Sequence, residues 1–431
     1  MRVLVLGAYG LIGQAVVRAA LSEGVEVSGL AREPARGAAL LPQVRWLAGN
    51  LNRLLRPEDW LDRIEGIDAV VNASGALQSG LQDDLGRVQR DAIVALIKAC
   101  ELRGVSGFVQ ISAPGAKPGA ATEFLATKGE ADAALRASDL KWVVLKPGLV
   151  ISPTAYGGTS LVRTLAAFPY VQPIALAEAR LQTIWVDDVA SAVVRSLSDE
   201  RLARADFDLV APQIETLENV VLTFRSWLGF SEPAWVWRVP KGMAMALARC
   251  ADLAGLLGWR APLRSTAMKV LKDDVVADPE PWRRATGQEF AALAETLGGM
   301  PATRQERVFA RVQLVFPLLV VAFAAFWIAS GLIGLWRFDE AARLIIDKVG
   351  TGYADLAVLG GSLVDIAVGA GLLLRRSFVP ACAMSVAVSL TYLLAGSIVT
   401  PQLWGDPLGP LVKVIPVIGL ALALVAMAEE R

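Results

Sequence analysis

Three glycines, Gly7, Gly10 and Gly13, follow the apolar run Val3–Leu6 at three-residue intervals and precede a second apolar segment. This is how a strand–turn–helix unit that receives a dinucleotide begins. Gly7 allows a tight turn, Gly10 lets backbone approach a pyrophosphate, and Gly13 lets the next helix pack on the sheet. A helix over 11–22 would present unpaired N–H groups and the positive end of its dipole to the phosphates. Tyr9, Leu11 and Ile12 belong to the same turn and are expected to line the ligand.

Other candidate ligand residues lie at the ends of later predicted strands. The second strand, 25–31, runs into Arg32-Glu33. An arginine there suits the extra phosphate of NADP, whereas a carboxylate suits the ribose hydroxyls of NAD. Arg32 favours NADP, and Glu33 leaves NAD open. Asn50 and Leu51 follow a third strand, 44–48, and Asn50 is suited to an adenine edge. Ala73-Ser74-Gly75 closes a fourth strand, 68–73, with small side chains where a dinucleotide would cross the sheet.

These residues need a frame of alternating strands and helices. Further strands are expected at 108–112 and 142–146, with helices over 85–103 and 121–137 between them. Such alternation predicts an α/β fold, a Rossmann-type doubly wound parallel sheet over 1–150. Residues 151–300 read as a small C-terminal lobe and linker, with a strand at 182–186 and helices over 187–197 and 215–228. The apolar stretch 241–258, interrupted by Arg249 and Asp252, reads as a packed or membrane-grazing helix.

Composition adds what the motif does not. The chain has 431 residues, is 54% hydrophobic and has no net charge, which argues against a nucleic-acid partner. Its mean hydropathy is +0.48, high for a soluble enzyme. It contains no histidine, so imidazole acid–base catalysis, Ser–His triads and histidine-ligated metals or haem are excluded. Cys100, Cys250 and Cys382 are widely spaced, which fits a reducing compartment and gives no metal site.

The excess apolarity lies at the end. Residues 312–336 carry no charge and as a helix would extend about 37 Å, enough to cross a hydrocarbon core of about 30 Å. Spans at 356–374, 377–400 and 411–428 complete an expected all-α four-span transmembrane bundle over 311–431. Arg304, Arg307 and Arg311 before the first span, and Arg375-Arg376 between the second and third, place the N-terminal domain and the C-terminus in the cytoplasm. The N-terminus resembles no signal peptide, in keeping with that expectation. Asp365 in the second span and Lys413 in the fourth are ionisable groups at depth, and the sequence suggests them as a polar pair.

Gly7/Gly10/Gly13, Asn72–Gly75, Gln110–Ala113, Thr127-Lys128, Leu145–Gly148 and Trp185–Ala190 together resemble the atypical and extended short-chain dehydrogenase/reductases over about residues 1–300. The branch that includes the nucleotide-binding accessory subunit of respiratory complex I is similar. The tail, with Asp406-Pro407-Leu408-Gly409-Pro410, resembles the DoxX-like membrane family. The pairing implies a bacterial inner-membrane protein. The resemblance also implies that Ser112, Pro147, Gly148, Leu149 and Val150 help bind the cofactor, that Lys128 holds the nicotinamide ribose, and that Ser112 and Lys128 are the surviving catalytic residues. Family chemistry uses a Tyr-x-x-x-Lys pair on one helix face, in which the phenol transfers the proton. Here the frame is Phe124-Leu125-Ala126-Thr127-Lys128, and phenylalanine has no proton to transfer.

Two functions stay open at this stage. One is a membrane-tethered NAD(P)H-dependent oxidoreductase for a lipophilic or quinone-like substrate, with water or Lys128 supplying the proton. The other is a non-catalytic NADPH-binding subunit, structural or sensing, of a membrane complex.

Overall fold

The computed structural model describes residues 1–76, 79–80, 84–259 and 264–428. They form two compact units, one of Met1–Asp252 with Ala261–Arg307, the other of Leu253–Arg260 with Val308–Arg431.

In the first unit, β1 (Arg2–Leu6), α1 (Leu11–Ser22), β2 (Glu26–Ala31), α2 (Pro34–Leu40), β3 (Arg45–Ala48) and β4 (Ala69–Asn72) come first. A π-turn over Gly86–Asp91 leads into α3 (Ala92–Arg103), then β5 (Gly107–Ile111), α4 (Glu123–Arg136) and β6 (Lys141–Pro147). After these come β7 (Leu149–Ile151), α5 (Gly157–Ala166), β8 (Val171–Ala175), β9 (Arg180–Leu181), β10 (Thr183–Trp185), α6 (Val186–Ser198) and β11 (Ala205–Leu209). The lobe continues through β12 (Glu215–Thr216), α7 (Leu217–Trp227), β13 (Trp235–Val239), α8 (Lys241–Leu256), α9 (Ser265–Lys272), α10 (Glu280–Thr286) and α11 (Leu293–Gly298).

Seven strands make one sheet in the order β11-β6-β5-β4-β1-β2-β3, every adjacent pair parallel. The β1 sequence shows why helices must cover both faces. Val3 and Val5 enter a core shared with Val16 and Ala20 of α1 and Val189 and Val193 of α6. Leu4 and Leu6 point the other way, among Ile93 and Leu96 of α3, Phe108 and Leu135. Val3, Leu4, Val5 and Leu6 are all fully buried, as expected for a central parallel strand. The lobe adds three two-stranded pairs, β7–β10, β9–β12 and β8–β13. On α8, Met243, Leu247, Leu253 and Leu256 are exposed, so this helix leaves much of its apolar surface uncovered.

In the second unit, among the described residues, three helices are long and apolar enough to cross a membrane: α12 (Arg304–Trp336), α15 (Thr351–Leu373) and α16 (Phe378–Val399). The short helices α13 (Phe338–Arg343) and α14 (Ile346–Val349) lie between the first two. The expected fourth span, 411–428, holds a shorter apolar helix, α17 (Val414–Met427). Gly409, at φ +56°, and the turn after it delay its start. Its 14 residues extend about 21 Å, short of a hydrocarbon core of about 30 Å. Trp259 joins this unit: its Nε1 donates to Leu373 O at 2.7 Å, and its ring meets Phe378 edge-on at 5.2 Å.

Candidate functional site

The strands of the large sheet are parallel, so residues that follow them in sequence share one edge. Gly7–Gly13 follow β1, Arg32 follows β2, Asn50 and Leu51 follow β3, Ala73–Gly75 follow β4 and Ser112 follows β5. Pro147 closes β6, with Gly148, Leu149 and Val150 immediately beyond. Strands β1 and β4 are neighbours although β2 and β3 lie between them in the chain. That reversal leaves a crevice at the carboxyl edge, where open α/β sheets take their ligands.

The glycine turn has the shape a pyrophosphate requires. Gly7 has φ +70°, and a Cβ on it would lie 2.7 Å from Ala73 O. The Gly10 N–H donates to Gly7 O at 2.8 Å, and Gly10 caps α1 without a side chain. A Cβ on Gly13 would overlap Gly7 O, so Gly13 seats the helix against the turn itself. The first turn of α1 holds no acidic residue to compete with an anion. Tyr9, Leu11 and Ile12 are all partly exposed around this turn. The residues therefore fit a dinucleotide, with the glycine turn and the α1 N-terminus to hold its phosphates.

The flanking candidates are less uniform. Arg32 and Glu33 are both exposed. Asn50 Oδ1 accepts from the Asn52 N–H at 3.0 Å, so its amide N–H groups are what a base could use. Leu51 beside it is partly exposed. Ser74 is fixed by Asn72, whose Oδ1 accepts from the Ser74 N–H at 3.1 Å and its hydroxyl at 2.5 Å. Asn72 Nδ2 in turn donates to Gln110 Oε1 at 2.9 Å, which joins the ends of β4 and β5. A Cβ on Gly148 would lie 2.5 Å from Gln182 O, and the Leu149 N–H donates to that same oxygen.

Ser112 and Lys128 belong to one buried polar cluster with a member the sequence reading did not include, Asp132. Ser112 Oγ donates to Asp132 Oδ2 at 2.5 Å, and Lys128 Nζ donates to Ile111 O at 2.8 Å. Asp132 is fully buried, and its Oδ1 has no hydrogen-bond partner. Burial pushes the Lys128 ammonium down to about 8, against the pull of the nearby Asp132 charge. Burial likewise raises the Asp132 carboxyl, opposed by the Ser112 hydrogen bond and by Lys128. A Cβ on Gly75 would sit 3.6 Å from Lys128 Nζ, so the amine lies beside the β4 turn.

Phe124 keeps the family's tyrosine position with its ring centroid 5.9 Å from Lys128 Nζ. Two further residues hold the cluster. Gln89, in the π-turn, accepts from Thr127 Oγ1 at 3.0 Å and donates to Ala76 O at 2.5 Å. A side chain on Gly129 would overlap the Lys117 backbone, so this glycine lets the 113–120 segment cross α4. Asp132 had a legible signal, since it stands four residues after Lys128 on the same helical face. Gln89 had none, because its role depends on a π-turn that spacing rules do not reveal.

The pairing expected between Asp365 and Lys413 is not formed. Asp365, buried on α15, accepts from Ser330 Oγ of α12 at 2.7 Å and from Tyr392 OH of α16 at 2.8 Å. Lys413 is exposed at the N-cap of α17 and makes no ion pair among the described residues. The carboxylate finds neutral donors on adjacent helices, which costs less than desolvating a cation as well.

The first unit is thus a dinucleotide-binding domain of Rossmann type, and the second a bundle with helices long and apolar enough to cross a membrane. A family profile described as NAD(P)H-binding matches residues 7–200, and one described as a DoxX-like family matches residues 324–422. The chain carries an NAD(P)H-binding domain like those of the short-chain dehydrogenase/reductases, followed by a DoxX-like membrane domain. It is 27% identical over 235 residues to the photosystem II assembly factor Ycf39 of Guillardia theta, covering 51% of this chain and 68% of that one. It is 25% identical over 194 residues to the ceramide reductase of Caulobacter vibrioides, covering 44% of this chain and 59% of that one. Among solved structures, the enzyme WbmH of Bordetella bronchiseptica, in complex with NAD+, matches with a TM-score of 0.52 at 16% identity. That match covers 72% of this chain and 98% of the other, and it shows the fold.

Proposed function

We propose that this chain is a membrane-anchored oxidoreductase that uses NADP(H) and reduces a lipophilic, quinone-like acceptor, with the Lys128 amine in place of a phenol. The observation that carries this reading is Lys128 itself: buried beside the β4 turn, and titrating near 8. A group that titrates near working pH can give up a proton at Nζ and regain it, which an amine near 10.5 does poorly. Arg32, exposed after β2, supports NADP over NAD. Asp132 and Ser112 fix the cluster, and the bound cofactor would supply the hydride. The name of the ceramide reductase relative, which gives a lipid as its substrate, agrees with a lipophilic acceptor. The arginines 304, 307 and 311 and the pair 375–376 support a cytoplasmic nucleotide domain on a bacterial inner membrane.

One observation favours a second reading. Phe124 has no proton to transfer, and Lys128 and Ser112 are both engaged with protein partners. On that reading the nucleotide binds without turnover and stabilises a subunit of a membrane complex. The name of the Ycf39 relative, an assembly factor, is in line with it. The test is NADPH oxidation by the full chain in lipid nanodiscs with a panel of short-chain quinones. Turnover that declines as pH rises through about 8, and is lost in Lys128→Met, is the expected result. NADPH binding without turnover by any acceptor, in both the native chain and Phe124→Tyr, overturns the reductase reading.

A further inference from the structure

Helix α8 buries one apolar side and leaves another in the open. The buried side, Ala244 and Ala248, packs with Met268 and Val239 in a small core of the lobe. On the far side, Met243, Leu247, Cys250, Leu253 and Leu257 follow at steps of three and four residues, which makes one helical stripe. All five are exposed, Leu253 to 61%. The charge around the stripe has a single sign. Lys241 and Arg249 are exposed, whereas the one acidic residue of α8, Asp252, is half-buried and pairs with Arg264 at 3.4 Å.

The strand that leads into α8 adds aromatic rings. Trp235 and Trp237 share a face of β13 with Val239, and Trp235 is 64% exposed. Tyr170 is exposed too, and its carbonyl accepts from the Ala234 N–H at 3.0 Å, next to Trp235. The other end of α8 shows what lies close by. Residues Leu253–Arg260 belong to the second unit. Within that unit the Arg375 N–H donates to Leu257 O at 3.0 Å, and Arg375 Cζ lies 5.5 Å from the Trp259 ring centre. Arg375 stands in the turn between α15 and α16, both long and apolar enough to cross a membrane. The end of the stripe is thus tied to the end of two such helices, the level at which hydrocarbon gives way to headgroups. Apolar residues on one face, cations at its border and tryptophans beside it are what a helix lying in a bilayer surface requires.

We propose that the exposed stripe of α8 lies in the surface of an acidic phospholipid bilayer, with its leucines among the upper acyl carbons and Lys241 and Arg249 against lipid phosphates. Helix α8 is then a second attachment, one that lies on the membrane rather than crossing it. The proposal rests on the second unit entering a bilayer and is independent of hydride transfer in the first.

The test uses the full chain in lipid nanodiscs, with a nitrobenzoxadiazole fluorophore on Cys250, inside the stripe. Cys100 and Cys382 are buried, and Cys250→Ser gives the blank. Lipid nitroxides near the headgroup or at the chain end quench from within the bilayer, and iodide quenches from water. The headgroup nitroxide should quench about twofold more than the chain-end one, since such helices sit about 5–10 Å deep, and iodide should quench little. Phosphatidylglycerol in the discs should strengthen the lipid quenching over phosphatidylcholine alone. Lys241→Gln with Arg249→Gln should remove that gain. Leu247→Glu with Leu253→Glu, at two exposed positions, should cut lipid quenching about threefold and open Cys250 to iodide.

Entry of the chain into the discs reads the second unit, and quenching at Cys250 reads α8. A chain held in discs with Cys250 open to iodide overturns the proposal. Shielding of Cys250 from iodide and from both nitroxides also overturns it, because a protein surface or a second copy then covers the stripe. Equal lipid quenching in the two compositions overturns the assignment of an acidic lipid. A chain that does not enter the discs overturns the membrane reading, and the proposal with it.

Discussion

The two buried polar clusters of this molecule share a plan and differ in one component. Each centres on a buried aspartate that accepts from a serine: Asp132 from Ser112 in the nucleotide domain, Asp365 from Ser330 in the bundle. Beside Asp132 stands an amine, Lys128, and the aromatic residue nearby is the phenylalanine Phe124. Beside Asp365 stands the phenol of Tyr392, and no cation pairs with it among the described residues. The difference teaches how surroundings set the form of a buried carboxylate. At a sheet edge, a partial charge balance with lysine is tolerated, and the aspartate holds back the fall in the amine's titration that burial causes. Within apolar helices a second charge would need desolvation of its own, and neutral hydroxyls satisfy the oxygens at less cost.

The strongest way to break the comparison is to remove the ligand that gives the first cluster its purpose. Gly13→Val drives a side chain into Gly7 O and should weaken NADPH binding by about 100-fold, read by nucleotide fluorescence, while the bundle cluster is untouched. If binding survives, the glycine turn is not the phosphate site. Next in size is Lys128→Met, which should cut nucleotide affinity about tenfold yet raise the apparent Tm by a few degrees. The sign follows from linkage. The folded amine titrates near 8 and the ordinary value is 10.5, so the unfolded chain binds the extra proton between those limits. Native stability should therefore rise with pH from about 8 to 10.5, and the variant should lose that slope.

Asp132→Asn sharpens the contrast further. It keeps an acceptor for Ser112 but removes the charge that holds the Lys128 proton, so the amine should titrate below about 8. The alkaline limb of any NADPH oxidation should move to lower pH, and nucleotide affinity should change by less than about threefold. The smallest effect is expected for Tyr392→Phe. Hydrogen bonds between membrane helices contribute about 0.6 kcal/mol on average, so the apparent Tm should fall only slightly and NADPH binding should stay unchanged. A large drop would mean that the bundle depends on its cluster more than the nucleotide domain does on its own.

Much of the nucleotide domain was legible because its signals are local. An apolar run followed by Gly7, Gly10 and Gly13 places a strand, a turn and a helix without reference to distant residues. The strand at 142–146 and the helix at 187–197 were legible by period in the same way. The start of the fourth apolar helix was not legible, because apolar length at 411–428 does not reveal that a turn occupies its first residues. Lys413 appeared to be a partner for Asp365 because both are ionisable. Which donors reach a carboxylate depends on how helices rotate against one another, and hydropathy carries no such information. Asp132 was passed over although its four-residue spacing from Lys128 was in view, since an aspartate on a helix is ordinarily a solvated one.

Chain order alone determined that a dinucleotide turn opens the molecule, that helices rich enough in apolar residues to enter a membrane end it, and that the residue four before Lys128 is not a tyrosine. These follow from residue type and short spacing, which fix local backbone and local chemistry. Only the tertiary structure decided that β11 joins the sheet begun by β1, that Ser112 and Lys128 share a cluster with Asp132, and that Asp365 takes its donors from α12 and α16. Each of those joins elements well apart along the chain or depends on which helix face turns inward, and packing rather than spacing settles both.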